Sequence, residues 1–217
     1  MKPIYRPEID GLRAIAVLAV LIYHFEKFFL ENSLLPGGFL GVDIFFVISG
    51  YLISSIILRE LSIKNRFSIL NFYQRRIRRI IPPLLFVIII SILFAYIYFL
   101  PKDLIDFVNS ILSSLAFVSN LYFYFTEIVY GNEISLFKPL MHTWSLSVEE
   151  QFYLFFPLFI IFFYRYFNNY FLSLIFCSFI ISIIFSQYMN ENHRLINFFL
   201  LPSRAWELLA GTLISIL

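Results

Sequence analysis

The sequence predicts an all-α, polytopic transmembrane helix bundle, and three observations predict it. Hydrophobic residues make up 60% of the 217 positions and charged residues only 14%, whereas soluble domains carry about 25% charge. The apolar runs are long enough for helices and lack the dyad alternation of a membrane barrel strand. Charge is clustered rather than spread: seven of the sixteen Lys and Arg residues fall between Arg59 and Arg79.

Seven apolar segments are expected, at 11–30, 38–58, 80–100, 104–125, 146–167, 170–188 and 195–217. The first carries both acid and base at its start and has no small-residue cleavage site, so it is not a signal peptide. It holds Arg13 and His24, eleven positions apart. On a helix that is about 16 Å, near half the hydrocarbon thickness. A charge at the bilayer centre costs at least about 2.5–3.5 kcal/mol, so such a pair is a functional candidate. The plainer reading is that Arg13 snorkels to the headgroups and His24 bonds a neighbouring helix.

The second segment opens with GGFLGVDIFFVISGYLIS. Gly37 and Gly38 permit a tight turn, and Gly41 and Gly50 permit close helix approach. Asp43 sits at the helix opening, where the dipole favours a carboxylate. It either caps the helix or faces the same cavity as His24.

Between the second and third segments, Arg59, Lys64, Arg66, Arg75, Arg76, Arg78 and Arg79 stand against one acid, Glu60. The positive-inside rule makes this loop cytoplasmic. The N-terminus is then cytoplasmic too, with Arg13 at the inner face and His24 in the outer half. Pro82 and Pro83 suit the opening of the third helix, which places Arg75, Arg76, Arg78 and Arg79 at its cytoplasmic mouth. Four guanidiniums there can bind several phosphate oxygens. The plainer reading is a topology anchor.

The fourth segment is made polar by Asp106, Asn109, Ser110, Ser113 and Ser114, which suits a bundle-facing or re-entrant helix. In the fifth, Glu149 and Glu150 project about 100° apart. Tyr153 is within reach of either, and Ser145 or Ser147 is a candidate cap. These acids either mark a solvated helix start or meet an arginine or a substrate. The sixth holds the single cysteine, Cys177, which excludes an intrachain disulfide. His24, His142 and His193 are scattered, so no metal site is expected. In the seventh, Arg204 and Glu207 share a helix face, paired with each other or with another helix. The apolar run continues to Leu217, so further helices are expected beyond it.

Five strings, in order, carry a resemblance: YRPEIDGLRAIAVLAVLIYHF, GGFLGVDIFFVISGYLIS, FYQRRIRRIIPPL, HTWSLSVEEQFYLFFP and SRAWELLAG. Together they resemble the acyltransferase 3 family of membrane-bound O-acyltransferases. The resemblance covers nearly the whole chain, as part of a domain of about ten helices, with no separate soluble domain in these 217 residues. It implies transfer of an acyl group, commonly acetyl, from cytosolic acyl-CoA as co-substrate, with no bound cofactor. The acceptor it implies is an extracytoplasmic glycan or lipid-linked precursor, such as lipopolysaccharide O-antigen, peptidoglycan or exopolysaccharide, at the plasma membrane.

The family's arginine-x10-histidine motif maps onto Arg13 and His24. Its Arg-x-x-Arg motif maps onto Arg75 with Arg78 or onto Arg76 with Arg79. The nucleotide end of CoA would meet Arg75, Arg76, Arg78, Arg79 and Arg13, and the pantetheine arm would carry the thioester toward His24. A neutral imidazole is the form a general base requires. His24 would take the proton of the acceptor hydroxyl or, as a variant, form an acyl-imidazole. Asp43 would orient it. Glu149 or Glu150, with Tyr153, would hold an arginine or the sugar, and Arg204 and Glu207 would give structural support. The alternatives are an inactive fragment of such an enzyme and a non-catalytic transporter of a lipid-linked glycan. The membrane lipid is a partner and nucleic acid is not. The sequence is silent on oligomeric state, and no filter-like repeat suggests a channel.

Overall fold

The computed structural model describes residues 6–29, 35–126 and 138–217. Among them every regular element is helical: α1 (Pro7–Phe29), a 3-10 turn (Gly38–Leu40), α2 (Gly41–Lys64), α3 (Ile69–Tyr98), α4 (Pro101–Leu115) and α5 (Ser119–Phe125). These are followed by α6 (Thr143–Tyr166), a second 3-10 turn (Asn168–Tyr170), α7 (Phe171–Asn192), α8 (Arg194–Phe199) and α9 (Leu201–Ile216). The protein is an all-α, multi-pass membrane helix bundle. Gly38–Lys64, Ile69–Tyr98, Thr143–Tyr166 and Asn168–Asn192 are long and apolar enough to cross a membrane. α1 is of spanning length but carries Glu8, Asp10, Arg13, Glu26 and Lys27. Leu30, the end of the first expected segment, lies outside the described residues.

Four expectations are corrected. α3 does not open at Pro82–Pro83 but at Ile69, so both prolines and all four arginines lie inside the helix. Arginine is a good helix former, and the backbone groups that proline frees are tolerated in membrane helices. The segment 104–125 is two helices. α4 ends at Leu115 with Ala116 as its C-cap, Phe117 takes φ 55°, and the Val118 N–H donates to Ser113 O at 2.8 Å while the Phe117 N–H donates to Ser114 O at 3.2 Å. Those two bonds are a Schellman closure with phenylalanine where glycine is usual.

The segment 195–217 also breaks, because Leu200 is extended (φ −93°, ψ 142°) just before Pro202. Proline has no N–H for the carbonyl four residues back; that carbonyl, Phe198 O, accepts from Arg204 Nε at 3.4 Å. Finally, neither Ser145 nor Ser147 caps α6, which already begins at Thr143.

The chain divides into two compact units. The first comprises Met1–Asn65, Ile160–Ile184 and Ala205–Leu217. Its helices approach where side chains are absent. A Cβ on Gly41 would overlap Ala16 O of α1. One on Gly50 would overlap Leu208 O of α9, and one on Gly211 would overlap Val47 O of α2, so α2 and α9 cross backbone to backbone. Ser54 Oγ donates to Thr212 Oγ1 at 2.8 Å beside this crossing, and the Trp206 N–H donates to Ser182 Oγ of α7 at 2.9 Å.

The second unit comprises Arg66–Phe159 and Phe185–Arg204. Leu84, Ile88 and Ala95 of α3, Phe107 of α4 and Leu140 form one apolar cluster in it. A polar network lies between α4, α5 and α6. Thr143 Oγ1 is 2.8 Å from Ser114 Oγ, 3.0 Å from Ser119 Oγ and 2.7 Å from Leu140 O. Ser119 Oγ is 2.7 Å from Ser147 Oγ, and Gln151 Nε2 donates to Asn120 Oδ1 at 2.8 Å and to Phe117 O at 3.0 Å. Asn120 Nδ2 donates onward to Phe199 O of α8 at 3.0 Å.

Candidate functional site

The candidate residues are divided between the two units. In the first unit, α1 carries Arg13 and His24. The approach of Gly38 to Ala19 and Tyr23, and of Gly41 to Ala16 and Val20, places the α1 turns leading to His24 against the opening of α2, where Asp43 lies. The Tyr23 ring meets the His24 ring edge-on, with centroids 5.4 Å apart. His24 Nδ1 is 2.8 Å from Val20 O. A carbonyl only accepts, so Nδ1 carries the hydrogen, and in a neutral ring the lone pair is on Nε2. The backbone of α1 thereby selects the tautomer whose Nε2 can take a proton. Both His24 and Asp43 are half-buried. Arg13 forms an ion pair of 3.9 Å with Asp10, and its Nε is buried with no hydrogen-bond partner among the described residues. Glu207 is fully buried in α9, one turn before Gly211.

In the second unit, α3 and α6 bring together residues seventy or more positions apart. The Arg76 guanidinium stacks on the Tyr153 ring at 4.0 Å and lies 5.7 Å from the Phe72 ring. The Tyr73 hydroxyl donates to Tyr153 O (3.3 Å) and Leu154 O (2.9 Å). Tyr153 is buried, and its hydroxyl donates to Glu149 Oε1 one turn back. Glu150 lies in the attractive field of Arg76 and the repulsive field of Glu149. Its Oε1 is buried with no hydrogen-bond partner among the described residues.

Arg75, Arg78 and Arg79 remain exposed on α3. Helical spacing puts these three within an arc of about 100°, with Arg76 about 60° beyond it. Arg204 also rests on aromatic faces, 5.6 Å from Trp144 and 5.4 Å from Phe198. His142 is exposed. Among the described residues no three His, Cys, Asp or Glu side chains gather as a metal site would need.

Sequence reasoning missed Tyr73, which fastens α3 to the α6 backbone, and the hydroxyl network. The signal for the network was present: Thr143, Ser147 and Gln151 recur every four residues along α6, as Ser110 and Ser114 do on α4. No comparable signal marks Tyr73.

The fold is an all-α membrane bundle with a half-buried histidine on one helix and an exposed arginine face on another. The chain belongs to the acyltransferase-domain family, whose family model matches residues 6–217. It is 44% identical over 161 residues to an O-acetyltransferase OatA of Staphylococcus aureus, a match covering 74% of this chain and 26% of that protein. It is 41% identical over 165 residues to a peptidoglycan O-acetyltransferase OatA of Listeria monocytogenes, covering 76% of this chain and 26% of that protein. The chain thus spans about a quarter of the length of these curated relatives. No solved structure matches it significantly.

Proposed function

We propose that this chain carries the transmembrane part of an O-acetyltransferase that moves acetyl from cytosolic acetyl-CoA to a hydroxyl of a cell-wall glycan, with peptidoglycan as the acceptor class. The similarity to relatives named as O-acetyltransferases, one of them for peptidoglycan, carries the reading. The exposed arginine face of α3 supports the donor, because the nucleotide end of CoA is polyanionic and guanidiniums bind phosphate oxygens in pairs. The seven basic residues from Arg59 to Arg79 support a cytoplasmic side for this face and for the N-terminus, because positive charge is enriched in cytoplasmic loops.

His24 is the base. Its Nε2 removes the proton from the glycan hydroxyl as that oxygen attacks the thioester carbonyl. The C–S bond then breaks, and the proton passes to the departing CoA thiolate. Asp43 steadies the imidazolium formed on the way. Positioned proton transfer of this kind contributes about 10²–10⁴-fold in rate. Transfer of label from acetyl-CoA to cell-wall glycan, in membranes of cells making the protein, tests this. His24→Ala should lower it by that factor with the protein still present in the membrane. Normal labelling by His24→Ala would remove His24 from the mechanism. Labelling by neither protein would count against the donor.

A further inference from the structure

The four arginines of α3 are not equivalent. Arg75, Arg78 and Arg79 share one exposed face, while Arg76 is half-buried and turned toward α6. There it has an aromatic face at 4.0 Å and a carboxylate, Glu150, in its field. The same contact is flanked by the Tyr73 hydroxyl on the α6 backbone. Tyr153, the platform, is 1% exposed and tied to Glu149. A guanidinium stacked on a buried ring keeps little freedom to follow a ligand, because the attraction strengthens where water is excluded. No hydrogen bond reaches Glu150 Oε1 among the described residues, and the charges acting on that carboxyl are the attracting Arg76 and the repelling Glu149.

We propose that Arg76 is a positioning residue rather than a phosphate ligand. Stacked on Tyr153, with the Glu150 carboxylate attracting it, Arg76 clamps α3 to α6 in the one rotation that presents Arg75, Arg78 and Arg79 together. This choice resolves the register: Arg75 and Arg78 are the ligand-facing pair, and Arg79 stands beside them. It rests on the acetyl-CoA reading given above, because the face is assigned to that donor's phosphates. The clamp itself is a property of the unliganded protein.

A double-mutant cycle on Arg76→Gln and Glu150→Gln tests both parts in the purified full-length protein. One arm measures binding of acetyl-CoA and of S-acetylpantetheine, which has the thioester arm without the nucleotide phosphates. The other arm measures the melting temperature without ligand. Each single variant should weaken acetyl-CoA binding roughly three- to tenfold and leave S-acetylpantetheine binding unchanged. The double variant should be no weaker than the worse single one. Melting should fall in both singles, again without adding in the double, while Arg75→Gln and Arg78→Gln should leave it unmoved.

A merely structural loss would weaken both ligands alike and overturn the positioning role. Unchanged acetyl-CoA binding in Glu150→Gln, with Arg76→Gln as damaging as Arg78→Gln, would make Arg76 a direct ligand and overturn the proposal. Additive melting effects would overturn the clamp. A non-additive melting cycle in a protein that binds no acetyl-CoA would sustain the clamp while overturning the donor reading and the phosphate-facing part of the proposal.

Discussion

The two units differ in what chiefly joins their helices, although the first also carries the Ser54–Thr212 and Trp206–Ser182 hydrogen bonds. In the first, α2 meets α1 and α9 at glycines, and the backbones touch because nothing stands between them. In the second, α4, α5 and α6 are joined by side chains that reach across: Ser114, Ser119, Asn120, Thr143, Ser147 and Gln151. Lipid tails are as apolar as leucine, so helices in a bilayer gain little from hiding apolar surface against one another. Close van der Waals packing and interhelical hydrogen bonds do the work instead. The comparison teaches that the first unit should be intolerant of added atoms and the second of removed ones. His24 stands on the sterically fixed side. The arginine face stands on the hydrogen-bonded side.

The largest effect expected is from addition. Gly50→Val would drive its side chain into Leu208 O, and overpacking of this kind costs about 1–3 kcal/mol or more. Melting of the detergent-solubilised protein should fall sharply; a wild-type melt would break the steric half of the comparison.

Removal comes next. Thr143→Val keeps the shape but takes away the oxygen shared by Ser114 and Ser119, for a loss of about 1–3 kcal/mol. If that variant proved neutral, the network would be incidental to stability. A smaller loss, about 0.5–1.5 kcal/mol, is expected for Tyr73→Phe, which frees two α6 carbonyls near the helix surface. Proteolysis between α3 and α6 would report it. At the bottom of the scale, Cys177→Ser alters an exposed position in neither kind of joint. It should stay within about 0.5 kcal/mol of the parent, and a larger drop would point to a contact that neither mode describes.

Much of this arrangement was legible in the sequence. The spans around 38–58, 80–100, 146–167 and 170–188 follow from apolar length alone, and Gly41 and Gly50 announced close approach. The pairing of Arg76 with α6 was legible only in outline. Glu150 and Tyr153 are identifiable as partners for some arginine, but which of four guanidiniums turns inward depends on where the helix begins. Pro82–Pro83 concealed that start by looking like one. The break at Phe117 was invisible because a left-handed closure without glycine has no compositional mark. The break before Pro202, by contrast, follows from the missing N–H and was there to be read.

The build of α4 bears on the order of synthesis. The helix is inside out by the standards of a water-soluble protein, with Ile105 and Leu112 exposed and Ser110, Ser113 and Ser114 buried. Its fifteen residues reach about 22 Å, short of a full crossing. It leaves the ribosome before Thr143, the α6 partner of Ser114, exists. Each of the three serines already donates to a carbonyl of its own helix, Ser110 to Phe107 O and Ser113 and Ser114 to Ser110 O. The newborn helix can therefore wait in lipid with every hydroxyl proton placed. Oxygen lone pairs are left over, and the one on Ser114 is what Thr143 of the later-arriving α6 meets.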